Sequence, residues 1–205
     1  MTFVGGRLLV VVSLALAATA CQTQDKAPQP RFVSDARDSG TAVPARRSAA
    51  GVAKASQSAG NRYFIEFRSR YALSYGHSYV VFGRTNKAGA MINPEVAGLA
   101  PASNSEVPYV LGHFVPVPAE TGWSDGDLEE RYRSASWRVM LTEPEYREVV
   151  ADIRKLQASS STWNATFYNC NAFVASIARS MGYKAPSKWL RPQQFITTLR
   201  EMNTG

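Results

Sequence analysis

Apolar and polar positions along the chain alternate with two different periods, and each period marks a kind of element. Arg62–Arg68 packs Tyr63, Phe64, Ile65 and Phe67 into one short run, which predicts a strand. Tyr75 and Gly76 predict a turn, and His77–Arg84, with Tyr79-Val80-Val81-Phe82 at its centre, predicts a second strand. Asn86–Gly89 predicts a hairpin turn leading into a short third strand, Ala90–Ile92. Val107–Val117 is apolar but interrupted by Pro108, Gly112 and Pro116, so an edge strand or extended loop is expected. A short surface helix is expected within Trp123–Arg133. Ala135–Leu141 then alternates Ser136, Arg138 and Met140 with Trp137, Val139 and Leu141, a half-buried strand.

The period lengthens from there. Thr142 with Glu145 three residues on has the capping-box pattern, and the helix it opens runs to about Gln157 with Tyr146, Val149, Val150, Ile153 and Leu156 on one face. Phe173, Val174, Ile177, Ala178 and Met181 have helical spacing, with Asn169 as N-cap and Gly182 at the left-handed end. A last amphipathic stretch, Pro192–Met202, aligns Phe195, Ile196, Leu199 and Met202. Strands come first and helices follow, which predicts an α+β fold, an antiparallel sheet packed against helices.

Cys170 falls in the first turn of the second predicted helix. Unpaired N–H groups and the positive end of the helix dipole favour a thiolate there, so the thiol is a candidate nucleophile. The plainer reading is a small buried hydrophobe. The chain has two histidines, His77 and His113, and a cysteine hydrolase needs one of them against the sulfur. His77 opens a strand just after a glycine; His113 lies in the proline-rich segment.

The N-terminal 20 residues carry one early cation, Arg7, and then an apolar run from Leu8 to Ala20, shorter than the roughly 20 apolar residues of a permanent span. Leu16-Ala17-Ala18-Thr19-Ala20-Cys21 resembles a bacterial lipobox, although Ala18 stands where such boxes usually carry leucine. That resemblance implies residues 1–20 are a lipoprotein signal peptide, Cys21 is acylated, and Gln22 directs outer-membrane retention. A plain secretory peptide cut by the A-x-A rule is the alternative. Residues 21–60, rich in Ala, Ser, Gln and Pro, are expected to form a disordered tether spanning on the order of 35 Å. Residues 61–205 are the folded domain. With Cys21 lipidated, Cys170 is left without a disulfide partner in its own chain.

The formal charge of +7 is spread evenly: residues 22–60 hold six Lys/Arg against three Asp, and residues 61–205 sixteen against thirteen Asp/Glu. Without a basic stripe carrying interleaved aromatics, a nucleic-acid partner is not expected. No metal is expected from two histidines and one thiol, no cofactor from isolated glycines, and the oligomeric state stays open.

Gly76-His77-Ser78-Tyr79-Val80-Val81-Phe82-Gly83, followed by Asn169-Cys170-Asn171-Ala172-Phe173-Val174, resembles the circularly permuted papain-like superfamily. That superfamily includes NlpC-type and lecithin:retinol acyltransferase-like proteins, in which the histidine strand precedes the cysteine helix. The resemblance spans roughly 62–186. It implies Cys170 as nucleophile, His77 as general base and the Cys170 backbone N–H as part of an oxyanion hole. A third polar residue usually follows on the next strand, where Asn93 and Glu95 stand, with His113 further on. The implied activity is a membrane-anchored hydrolase cutting an amide, such as a peptidoglycan peptide bond, or an acyl bond. A non-catalytic binding module on the same fold is the other reading.

Overall fold

A computed structural model describes residues 43–44, 62–72, 75–103 and 105–205. The signal-peptide and lipidation expectations, Cys21 included, lie outside the described residues.

The centre is an antiparallel core of four strands: β2 (Tyr63–Arg70), β3 (His77–Thr85), β4 (Met91–Gly98) and β7 (Arg133–Leu141). A two-residue strand, β1 (Val43–Pro44), joins β7 in parallel, giving the order β1-β7-β2-β3-β4. This is the one described piece of the 21–60 stretch, and it departs from the expected structureless tether by covering what would otherwise be an open edge. Three short strands, β5 (Ala100–Pro101), β6 (Val117–Glu120) and β8 (Thr162–Trp163), form a second sheet.

Pleat alternation sorts the side chains. Ile65 and Phe67 of β2, Val80 and Phe82 of β3, and Trp137, Val139 and Leu141 of β7 share a core with three helices. These are α2 (Glu143–Ser159), α3 (Cys170–Ser180) and α4 (Pro192–Thr204). They bring Val149 and Ile153, Phe173, Val174 and Ile177, and Phe195, Ile196 and Leu199 to that core, as their spacing predicts. The Glu145 carboxylate accepts from the Thr142 N–H at 2.9 Å and its hydroxyl at 2.7 Å, fixing the start of α2. The opposite sheet face holds a smaller cluster of Phe64, Tyr79, Val81 and Val96. The molecule is α+β, an antiparallel sheet packed against helices.

Three local expectations change. Val107–Leu111 is a short helix, α1, rather than extended chain, because Pro108 falls at its N-terminal end, where a missing N–H costs nothing. Trp123–Arg133 is a series of turns ending in a single 3-10 turn at Glu130–Tyr132. The third strand runs well past Ile92 to Gly98, since a bulge with Asn93 at φ 44° absorbs Pro94 and lets pairing resume.

Candidate active site

Asn169 caps α3: its Oδ1 accepts from the Ala172 N–H at 3.0 Å, which places Cys170 at the first helical position. The thiol is half-buried and within hydrogen-bonding reach of the His77 ring. Burial alone would push the thiol upward. The hydrogen bond and charge of His77, with a contribution from Ser78, outweigh it and hold the thiol below its ordinary value.

His77 is the first residue of β3, and the chain enters it through Gly76 at φ +81°, where an added Cβ would come within 2.9 Å of the Arg70 carbonyl. The ring is buried and stacks on Tyr79, centroids 5.6 Å apart and planes 12° apart. Burial keeps the Tyr79 phenol protonated, and it donates to the Asp127 carbonyl at 2.6 Å. Asp127 is itself buried and held by Arg70 Nε at 2.6 Å. On the other side, β4 passes the ring at Gly98, where an added Cβ would lie 2.8 Å from Nε2. The ring is therefore oriented by stacking and by a seat that only glycine leaves open.

The residues flanking the sulfur form a clip. Asn171, buried, donates from Nδ2 to the carbonyls of Leu190 at 2.7 Å and Lys188 at 3.2 Å. Asn169 Nδ2 donates to the same Lys188 carbonyl at 3.3 Å and to Ala165 at 3.0 Å. Because carbonyls only accept, the Asn171 amide orientation is fixed and its Oδ1 faces Ser78. Ser78 Oγ gives its single proton to that Oδ1 at 2.8 Å. Only lone pairs of the hydroxyl are then left to face the sulfur. The help that Ser78 gives a thiolate comes from its backbone N–H.

The three residues considered for the third role stand elsewhere. Glu95 pairs with Phe82 across the ladder, five residues up β3 from His77 and so roughly 16 Å away. It forms an ion pair with Arg154 of α2. Asn93 is further along still, exposed in the bulge. His113 follows α1, with Nδ1 donating to the Tyr109 carbonyl at 2.9 Å and its ring 6.3 Å from that of Tyr75. It belongs to the rim of the site rather than to its centre. Ser78 and Asn171 were not foreseen as site residues. The two amides bracketing Cys170 were the available signal.

Among the described residues no group of three His, Cys, Asp or Glu is placed to hold a metal ion, and no helix is long and apolar enough to cross a membrane. No family model, curated protein or solved structure matches the chain.

Proposed function

We propose that the chain is a cysteine hydrolase of the permuted papain-like kind, held in the bacterial cell envelope by a lipid on Cys21 and facing the periplasm or the cell surface. The observation that supports this reading is the pairing of His77 with a thiol whose ionisation is eased at a helix start. An amide of a peptidoglycan peptide is the substrate class; an acyl ester follows the same course.

Cys170 Sγ, as thiolate, attacks the carbonyl carbon and forms a C–S bond. The oxyanion so created takes a hydrogen bond from the Cys170 backbone N–H, which is unpaired at the first helical turn. His77 delivers its proton to the departing nitrogen as the C–N bond breaks, leaving a thioacyl enzyme. His77 then takes a proton from water, whose oxygen displaces the sulfur and releases the acid. Thiolate and imidazolium are restored.

A binding module that holds a peptide without cutting it is the second reading. It is favoured by Gly98, which offers no side chain to the ring where a third polar residue would come. Iodoacetamide alkylation of the full chain against pH separates the two. The hydrolase reading expects the rate to reach half its plateau below the ordinary thiol value of about 8.5. It also expects His77→Ala to move that midpoint up, and Cys170→Ala to abolish release of product from muropeptides. An ordinary midpoint, or turnover surviving in Cys170→Ala, overturns it.

A further inference from the structure

The mouth of the Cys170 site is ringed by side chains that the proposed chemistry does not use. Phe114 is 79% exposed, Phe167 73%, Trp189 64% and Tyr75 62%, far more than apolar side chains of this size need be. The segments that carry them are tied to one another by one backbone bond and by side-chain contacts. The Ala165 N–H donates to the Gly112 carbonyl at 3.0 Å, joining the α1 turn to the loop that carries Phe167. Lys188 Nζ donates to the Phe167 carbonyl at 2.6 Å and lies 5.4 Å over the Trp189 ring. Arg191 sits 5.7 Å over the Tyr75 ring, which in turn meets His113 beside α1. The circuit closes around Asn169 and Cys170, because Asn169 bonds both the Ala165 and the Lys188 carbonyls. Tyr109 of α1 is close enough to the sulfur for their charges to interact.

We propose that this aromatic and cationic crown seats on the surface of an anionic lipid bilayer, with the Cys170 mouth turned toward it. Two features select that occupant. Aromatic bodies beside Lys188 and Arg191 match a headgroup region, where apolar rings enter the acyl boundary and cations meet lipid phosphates. Val110, Leu111 and Val115, also exposed, extend the apolar surface along the α1 edge beside Phe114, and an apolar edge flanked by cations is what an interfacial segment presents to an anionic bilayer. The surface does not depend on the hydrolase reading, and a catalytically dead chain keeps it.

The test is fluorescence quenching of the full chain in vesicles of phosphatidylethanolamine and phosphatidylglycerol carrying bromine on the acyl chains. Any N-terminal anchor acts equally on every variant, so the readout is Trp189 rather than vesicle binding. Emission is expected to fall by about a third or more relative to unbrominated vesicles, and Trp189→Phe, an exposed change that leaves the core intact, is expected to lose most of that drop. Phe114→Ser with Phe167→Ser should halve the quenching, and Lys188→Gln with Arg191→Gln should weaken it on phosphatidylglycerol vesicles but not on neutral ones. Cys170→Ala should quench like the parent. No quenching, as a crown seated on protein would give, or quenching undiminished in Trp189→Phe, overturns the proposal.

Discussion

The two faces of the sheet each bury a polar network, and the networks are built oppositely. Beside the site, Asn169 and Asn171 use neutral amides whose donor directions are fixed by backbone carbonyls, and Ser78 donates to the Asn171 amide oxygen. On the far face Glu66 and Arg68, both almost fully buried, pair at 2.9 Å, while Arg138 Nε meets the second Glu66 oxygen at 2.6 Å and Glu130 meets Arg68 at 2.9 Å. The charged network binds by attraction that tolerates small shifts. The neutral one binds by direction, and so can hold a helix end and a sulfur in register without placing a second full charge beside the thiol. Strength is on the face that backs the His77 ring through Tyr79, and direction is on the face that holds the Cys170 helix.

Breaking the charged side should give the largest effect. Glu66→Ala leaves Arg68 buried with only Glu130, and such removals cost about 3–5 kcal/mol. Urea unfolding measures this, and alkylation of Cys170 in the folded variant should keep the parent rate; a parallel fall would show the two faces to be coupled. A pH series sharpens the point. Burial opposes ionisation of Glu66, but Arg68 and Arg138 outweigh it and hold the carboxyl below its ordinary value. A carboxyl lowered by folding stabilises the molecule above its unfolded value of about 4.3 and loses that stabilisation as pH falls through the folded one. The gap between parent and Glu66→Gln should therefore stay constant near neutrality and close below about pH 4.

Asn171→Ala breaks the neutral side and should cost less, about 2 kcal/mol from the bonds lost to Leu190, Lys188 and Ser78. Its second effect runs the other way. With Oδ1 gone, the Ser78 hydroxyl is released to donate to the sulfur, so the alkylation midpoint should drop below the parent's while the protein becomes less stable. Ser78→Ala in the same background should bring the midpoint back up. A midpoint that does not move in Asn171→Ala would mean that the Ser78 proton is not held by the amide.

Period and motif made β2, β3, β7 and the three long helices legible, because each buries one face over enough residues for the pattern to repeat. The pairing of Cys170 with a histidine was legible too, from a helix start and a strand start. What escaped was set by tertiary context. The Ser78–Asn171 bond links residues 93 apart, and no local period carries it. Glu66 and Arg68, two apart on a strand, have the spacing of a solvated outer face, yet Arg138 and Glu130 bring them under cover. Pro94 hid the far half of β4 because the bulge at Asn93 depends on the partner strand, and Pro108 concealed α1 because the same residue suits a helix start or a loop. The expected orienting group failed for a simple reason: Asn93 and Glu95 are on the right strand but at its wrong end.

The smallest expected change isolates direction from charge. Asn169→Asp keeps an oxygen to cap α3, and aspartate caps about as well as asparagine, so the helix start should survive. The variant loses only the two bonds that Nδ2 gives to Ala165 and Lys188, both on partly exposed ground, and stability should fall by about 1 kcal/mol. A carboxylate now stands next to the sulfur, however, and like charge opposes thiolate formation. The alkylation midpoint should rise although nearly every contact is kept. If it does rise, the asparagine is there because a neutral cap preserves the ionisation that His77 promotes. If it stays where it was, the second nitrogen bond to Lys188 is the reason for asparagine, and the cap contributes position alone.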